Sequence, residues 1–126
     1  MIKNIAIVSL SRGVAGEAFA QHEVEIGLKR LAGYGVNVQF MPNARRGIDY
    51  LTAHPEGIDM ILCAIGGDDT YRLLPYLFDH DELRRAVTGK VFLGFSDTTV
   101  NHMMLHKVGL PTFYGQAFLP DVCELG

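Results

Sequence analysis

The sequence contains no tryptophan and only two cysteines. Cys63 lies inside an apolar run and Cys123 lies near the last residue, and neither has the spacing of a metal ligand. We therefore expect no disulfide bond, no zinc site and no other metal. No organic cofactor is expected either.

Long apolar runs and clusters of positive charge are also missing. No apolar run approaches the length of about 20 residues that a membrane-spanning helix needs. The net charge is -3, and Arg45-Arg46 and Arg84-Arg85 are isolated pairs. Met1 to Lys3 lead straight into an apolar segment without a cleavage site. These absences argue against membrane and nucleic-acid partners and predict a cytoplasmic protein.

Short apolar runs alternate with segments of helical spacing in a chain that is one domain long. Strands are predicted over 4–10, 36–41, 59–65, 91–93 and 112–114. Helices are predicted over 17–31, from 71 onward, over 81–86 and over 98–108, with a helical turn over 48–53. In the first helix the residues predicted to face inward are Phe19, Val24, Ile26, Leu28 and Leu31, and Gly33 should end it. This alternation predicts an α/β fold, with a mostly parallel sheet flanked by helices on both faces.

Polar or glycine-rich turns follow four of the predicted strands, at 9–13, 66–70, 96–98 and 115–116. Open parallel sheets bind ligands beyond the carboxyl ends of their strands. We therefore expect these four turns to meet on one rim of the molecule.

The stretch 91–99 has the layout of a nucleophile elbow. An apolar run ends at Gly94, Ser96 follows, and a helical segment begins directly afterwards, which would hold the serine hydroxyl above the sheet. The amides at the start of that helix favour negative charge near Ser96. Thr98 stands where the elbow pattern usually has its last glycine. The alternative interpretation is that Ser96 or Asp97 simply caps a helix.

The glycine pair Gly66-Gly67 follows a predicted strand and leaves backbone amides free to donate. Together with the Asp97 amide, these donors could form an oxyanion hole beside Ser96. A tight turn without function is the alternative. The run G-G-D-D-T, which contains Asp68, also resembles the phosphate-binding turn of phosphofructokinase-like and NAD-kinase-like enzymes, where the aspartate serves metal or substrate.

Arg72, just after this turn, has the chemistry to bind a substrate carboxylate with two hydrogen bonds, although such an arginine is more often a solvated helix residue. His102 and His106 lie four residues apart, but Met103 stands where a metalloprotease motif requires glutamate. We interpret both histidines as core-edge or surface residues. Neither is expected to act as base for Ser96, because the helix carries the chain away from the elbow.

Four pieces, in order along the chain, resemble the N-terminal domain of the LD-carboxypeptidase family of serine peptidases, which includes the microcin C immunity proteins. They are A-I-V-S-L-S, I-L-C-A-I-G-G-D-D-T-Y-R-L-L-P-Y-L, F-L-G-F-S-D-T-T and G-L-P-T-F-Y-G. The resemblance implies a flavodoxin-like fold, Ser96 as nucleophile, and an oxyanion hole made by the amide of Asp97 and an amide of Gly66 or Gly67. It also implies cleavage of the terminal D-alanine of murein tetrapeptide, or of a peptidyl-nucleotide such as microcin C.

The resemblance further implies a C-terminal domain that carries the glutamate and histidine of the catalytic triad, and this sequence stops at Gly126 before it. We therefore expect residues 1–126 to form a single nucleophile-bearing domain that is inactive alone. The face left by the missing domain favours a homodimer. Only Glu56 to Ile58 separate the His-Pro-Glu segment from the next strand, where the family usually has a helix.

Gln116 stands where the family commonly has proline, and we group it with Arg72 and Asp68 as a candidate substrate contact. Two other functions are open. One is a nucleotide-binding phosphoryl transferase that uses the turn 66–70, and the other is a non-catalytic flavodoxin-like module with a vestigial elbow.

Overall fold

A computed structural model describes residues 1–11, 13–41, 56–77 and 80–124. Its strands are β1 (Asn4–Val8), β2 (Asn37–Phe40), β3 (Met60–Cys63), β4 (Val91–Gly94) and β5 (Phe113–Tyr114). They form one sheet of order β2-β1-β3-β4-β5, in which every neighbouring pair is parallel. This is the flavodoxin-like strand order, so the predicted fold class is confirmed.

The central strands β1 and β3 are almost entirely apolar because both of their faces are buried. Successive side chains of a strand point to opposite faces. In β1, Ala6 and Val8 belong to one buried cluster, whereas Ile5 and Ile7 belong to the other. The same alternation in β3 explains why its sequence reads as a continuous apolar run rather than an alternating one.

Helices cover both faces of the sheet. They are α1 (Gln21–Gly33), α2 (Leu74–Leu77), α3 (His80–Val87) and α4 (Thr99–Lys107), and a single turn of π-helix spans Phe118–Val122. Val24 of α1 and Phe118 of the π-turn pack on one face, while Leu83 of α3 and Leu105 of α4 pack on the other. Within the described ranges, no helix combines the length and apolar character needed to cross a membrane.

The first helix begins later than the sequence predicts. Two 3-10 turns, Val14–Gly16 and Ala18–Ala20, precede it, and the prediction that Phe19 faces inward is wrong, because this side chain is 75% exposed. Phe19 lies in a 3-10 turn and therefore does not follow the inward stripe of α1. Gly33 is the last helical residue, and Gly35 takes the left-handed φ of +72° that ends the turn.

The remaining boundaries differ by a few residues. The segment predicted to be helical from Tyr71 begins as a 3-10 turn, Thr70–Leu73, and continues as α2. Pro75 lies in the first turn of α2, where its missing N–H breaks no intrahelical bond, so it does not interrupt the helix. The helical turn predicted over 48–53 lies outside the described residues.

Candidate active site at the carboxyl end of the sheet

The turns that follow neighbouring strands are tied together at the carboxyl end of the sheet, as predicted. The Thr70 hydroxyl, after β3, donates to the carbonyl of Leu10, after β1, at 2.5 Å. The Ser11 hydroxyl donates to Asp69 Oδ1 at 2.6 Å. The Thr70 N–H donates to Asp97 Oδ2, after β4, at 3.0 Å. Side chains, not only strand pairing, therefore hold the rim in one arrangement.

The backbone at Ser96 is strained and its side chain is exposed. Phe95 is extended, and Ser96 then has a φ of +63°, the single left-handed non-glycine residue in the part of the chain that the structure describes. A 3-10 turn, Ser96–Thr98, leads into α4. The N-cap residues of this turn and of α4 are Phe95 and Thr98, so neither Ser96 nor Asp97 occupies the N-cap position that the alternative interpretation gave it.

Gly94 is required by its neighbours on both sides of the turn. A β-carbon at this position would lie 2.7 Å from Cys63 Sγ on β3 and 2.8 Å from Thr98 Oγ1. Both distances are far inside ordinary contact, so any side chain would force the strand and the turn apart. The crowding therefore comes from a neighbouring strand, through Cys63, as well as from Thr98 within the turn.

Gly66 lies directly beside the exposed serine. A β-carbon on Gly66 would be 3.1 Å from Ser96 Cβ, 3.2 Å from Ser96 Oγ and 3.6 Å from the Asp97 nitrogen. A shallow cavity of about 310 Å³ opens here, and its described lining is Ile65, Gly66, Gly67, Phe95, Ser96 and Pro120. The glycine pair and the serine thus share one cavity. Pro120 was not among the residues singled out from the sequence.

The carboxylate of Asp97 has a partner that sequence reasoning missed. It accepts the Thr70 N–H, and Thr70 is fully buried with its hydroxyl bonded to Leu10. From the sequence, the Asp97 amide is a candidate oxyanion donor and its side chain a candidate helix cap, and neither prediction includes this contact. The available signal was the threonine at the end of G-G-D-D-T, since a buried hydroxyl in a turn normally has a specific partner.

Tyr114 is the second residue missed from the sequence. The Ser96 N–H donates to Tyr114 Oη at 3.0 Å, and the Thr99 hydroxyl lies 3.4 Å from the same oxygen. The hydrogen bond with Thr99, and then that from the Ser96 amide, hold the pKa of the Tyr114 phenol below its usual range. The sequence feature that could have indicated this contact is an aromatic residue at the end of the strand next to the elbow.

The three residues proposed from the sequence as substrate contacts lie on the surface, and the described lining of the cavity includes none of them. The Arg72 Nε donates to Tyr71 Oη at 3.3 Å, and its guanidinium lies 5.8 Å from the centroid of that ring. The hydrogen bond to Tyr71 raises the pKa of Arg72. Asp68 precedes the 3-10 turn Thr70–Leu73, and Gln116 follows β5.

The histidines of α4 are placed as expected, at the core edge and on the surface. His102 is buried, with Nε2 2.9 Å from the Gly94 carbonyl and Nδ1 2.7 Å from Thr112 Oγ1. His106 is exposed. Across the described ranges, no group of three or more histidine, cysteine, aspartate or glutamate side chains is arranged to hold a metal ion.

A parallel flavodoxin-like sheet, a strained serine after its fourth strand and a glycine turn beside that serine define an α/β protein with a nucleophile elbow. Residues 5–115 match the LD-carboxypeptidase N-terminal domain of peptidase family S66. The chain belongs to this family.

Three relatives illustrate the match. The chain is 41% identical over 68 residues to the microcin C7 self-immunity protein MccF of Escherichia coli. The aligned region covers 53% of this chain and 19% of that protein. The crystal structure of an MccF-like protein from Streptococcus pneumoniae in complex with AMP superposes with a TM-score of 0.88 at 54% identity. MccF in complex with aspartyl sulfamoyl adenosine superposes with a TM-score of 0.79 at 27% identity.

The chain is much shorter than these relatives. It is covered almost completely by the two solved structures, at 99% and 98%, but spans only 40% and 39% of their lengths. The ligands and activities of these longer relatives are therefore considered for this chain only as part of a proposal.

Proposed function

We propose that this chain supplies the nucleophile of a serine peptidase that hydrolyses an amide bond next to a carboxy-terminal group. The observation that carries the proposal is the exposed Ser96 hydroxyl on a strained elbow beside Gly66. A substrate carbonyl that enters the shared cavity would meet the hydroxyl on one side and backbone amides on the other. Family membership is consistent with this chemistry.

In the proposed reaction, Ser96 Oγ attacks the carbonyl carbon and forms a new C–O bond. The negative charge that develops on the carbonyl oxygen is held by the N–H groups of Asp97 and Gly67, with Gly66 leaving the space open. Each such donor is typically worth about 3 kcal/mol in the transition state. The C–N bond then breaks, the amine leaves with the proton taken from the serine, and water hydrolyses the acyl-enzyme.

The base is proposed to come from outside these 126 residues, as a histidine oriented by a glutamate. His102 is unsuited to this role because its ring nitrogens are engaged by the Gly94 carbonyl and Thr112. A serine without a base is a weak nucleophile at neutral pH. We therefore expect the purified chain to show no useful turnover of an LD-tetrapeptide or a peptidyl-nucleotide, measured by product release on liquid chromatography. Turnover by this chain alone would contradict the proposal.

Among amide substrates we favour a peptidyl-nucleotide over murein tetrapeptide. Support comes from relatives described as a microcin self-immunity protein and as complexes with AMP and with aspartyl sulfamoyl adenosine. Arg72 could pair with a substrate carboxylate or phosphate, and Asp68 and Gln116 could contact polar groups at the rim. The proposed compartment is the cytoplasm, whose reducing conditions suit the free thiols of Cys63 and Cys123.

The test is labelling by an alkyl fluorophosphonate, followed by mass spectrometry. A bond forms between Ser96 Oγ and phosphorus, the P–F bond breaks, fluoride leaves, and the hydroxyl proton goes to solvent. We expect slow labelling of the wild-type chain at Ser96 and none in Ser96→Ala. Labelling of Ser96→Ala as fast as wild type would contradict the peptidase proposal. Binding of ATP with Mg²⁺ that Ser96→Ala leaves unchanged would favour the phosphoryl transferase instead. Neither Ser96 labelling nor ATP binding would favour the non-catalytic module.

A further inference from the structure

The elbow stores backbone strain at one residue. A φ of +63° places the Ser96 backbone in the left-handed region, which is sterically unfavourable for a non-glycine residue. The other described residues with positive φ are glycines, namely Gly35, Gly89 and Gly109. Such strain persists only where surrounding contacts determine the conformation.

Side chains hold both polar groups of the Ser96 backbone. Its carbonyl accepts the Thr99 hydroxyl at 2.5 Å, and its N–H donates to Tyr114 Oη at 3.0 Å. The contact with Thr99 is local, within the first turn after the elbow. The contact with Tyr114 comes from β5 and therefore ties the elbow to the neighbouring strand.

Tyr114 is itself held in place. It is the register partner of Gly94, whose carbonyl accepts the Gly115 N–H at 3.1 Å. Its ring lies 5.3 Å from the ring of His102, which is anchored by the Gly94 carbonyl and Thr112. The Tyr114 backbone is thus held by pairing with β4 and its ring by contact with His102, and together they position the phenol oxygen at Ser96.

We propose that Tyr114 is a positioning residue that holds the Ser96 amide so that the serine hydroxyl faces the cavity. The inference rests on the proposed function, since it assigns a role in presenting the nucleophile. Because the Ser96 N–H is used by Tyr114, it is not available to an oxyanion. The amide of Asp97, 3.6 Å from where a β-carbon on Gly66 would stand, is left for that purpose.

The test is Tyr114→Phe, which removes only the phenol oxygen. Fluorophosphonate labelling of Ser96 is measured over a range of probe concentrations, and hydrogen exchange of the Ser96 amide is followed by NMR. We expect the maximal labelling rate to fall about tenfold with the probe's half-saturation concentration unchanged, and we expect the Ser96 amide to exchange faster. Tyr34→Phe makes the same chemical change at the exposed end of α1 and should leave both measurements at wild-type values.

The outcomes separate the two proposals. If the wild type is labelled at Ser96 but Tyr114→Phe is labelled at the same maximal rate, the positioning role is overturned and the peptidase proposal stands. If the Ser96 amide of the wild type exchanges as fast as an unprotected amide, the positioning role is overturned without any need for the variant. If the wild type is not labelled at Ser96, the proposed function fails and the role of Tyr114 in presenting a nucleophile fails with it.

Discussion

Polar groups have different roles at the two ends of the sheet: at the amino end they join neighbouring strands, and at the carboxyl end they hold an exposed turn. At the amino end, the Asp59 carboxylate accepts the N–H groups of Lys3 and Asn4 at 2.8 and 2.9 Å. The buried Lys90 ammonium donates to the Ile58 carbonyl at 3.1 Å, and burial lowers the pKa of this lysine. These polar groups therefore join the starts of the strands to one another.

At the carboxyl end, hydrogen bonds hold a turn in a conformation that leaves the Ser96 side chain exposed. Ser96 is strained and its hydroxyl faces solvent, whereas Cys63, one strand away, is 0% exposed. Burial raises the pKa of the Cys63 thiol to about 12, so it stays protonated and inert. The backbone turn therefore exposes the Ser96 hydroxyl, whereas the neighbouring strand keeps the Cys63 thiol buried.

The largest expected effect on Ser96 labelling is at Gly66, at the carboxyl end of the sheet. Gly66→Ala places a methyl group 3.2 Å from Ser96 Oγ, inside the space proposed for the substrate carbonyl. We expect fluorophosphonate labelling of Ser96 to slow about 100-fold, the loss typical of an impaired oxyanion hole.

The control is Gly33→Ala, which adds a methyl group into open space at the end of α1 and should be labelled at the wild-type rate. Equal labelling of Gly66→Ala and wild type would remove the glycine turn from the candidate site.

Gly94→Ala tests how tightly the elbow is packed. Its β-carbon would meet Cys63 Sγ at 2.7 Å, and overpacking of this kind typically costs about 1–3 kcal/mol of unfolding free energy. Urea denaturation would measure the loss. Adding Cys63→Ala should recover part of it, because the clash is partly removed. Independent, additive effects of the two substitutions would mean that Cys63 is not the obstacle.

The strain at Ser96 predicts a smaller effect on the free energy of unfolding, and here a glycine is expected to stabilise the protein relative to alanine. Ser96→Gly should be more stable than Ser96→Ala by about 1 kcal/mol, because glycine adopts a φ of +63° without steric cost. Both variants lack the hydroxyl, so a difference in their urea midpoints reports the backbone alone. Equal midpoints would show that the elbow is not strained in solution.

The smallest effect concerns Asp59 at the amino end. The backbone N–H groups of Lys3 and then Asn4 hold its pKa below the ordinary value of 3.8. The folded state therefore binds this proton less readily than the unfolded state. The resulting stability is present above the unfolded pKa and is lost as the pH falls through the lower folded pKa.

Asp59→Asn should accordingly destabilise the protein near neutral pH and weaken the loss of stability on acidification, as measured by urea midpoints at several pH values. Glu25→Gln, at an exposed position on α1, is the matched control and should keep the wild-type pH profile. A profile for Asp59→Asn that parallels wild type would contradict this role of Asp59.

Local patterns predicted much of the fold and part of the candidate site. The apolar run before Gly94 and the serine after it indicated a strand followed by a tight turn, and both are present. Burial on both faces explains why the runs of β1 and β3 can be recognised, since a strand buried in this way is almost entirely apolar. The position of Phe19 was not predictable in this way, because short 3-10 turns break the 3.6-residue period on which the inference depends.

The contacts of Asp97 and Tyr114 could not be read from the sequence either. Their partners are Thr70, 27 residues from Asp97, and Ser96, 18 residues from Tyr114. Nothing in local spacing specifies which side chain of one turn reaches the backbone of another.

By itself, the sequence determined which segments become buried strands and where glycine and serine interrupt them, because burial and steric freedom act on neighbouring residues. Only the tertiary structure decided the left-handed backbone of Ser96, the burial of Cys63 and the capture of the Ser96 amide by Tyr114. The parallel sheet brings separate turns to one edge, and hydrogen bonds and steric contacts between those turns then select the conformation.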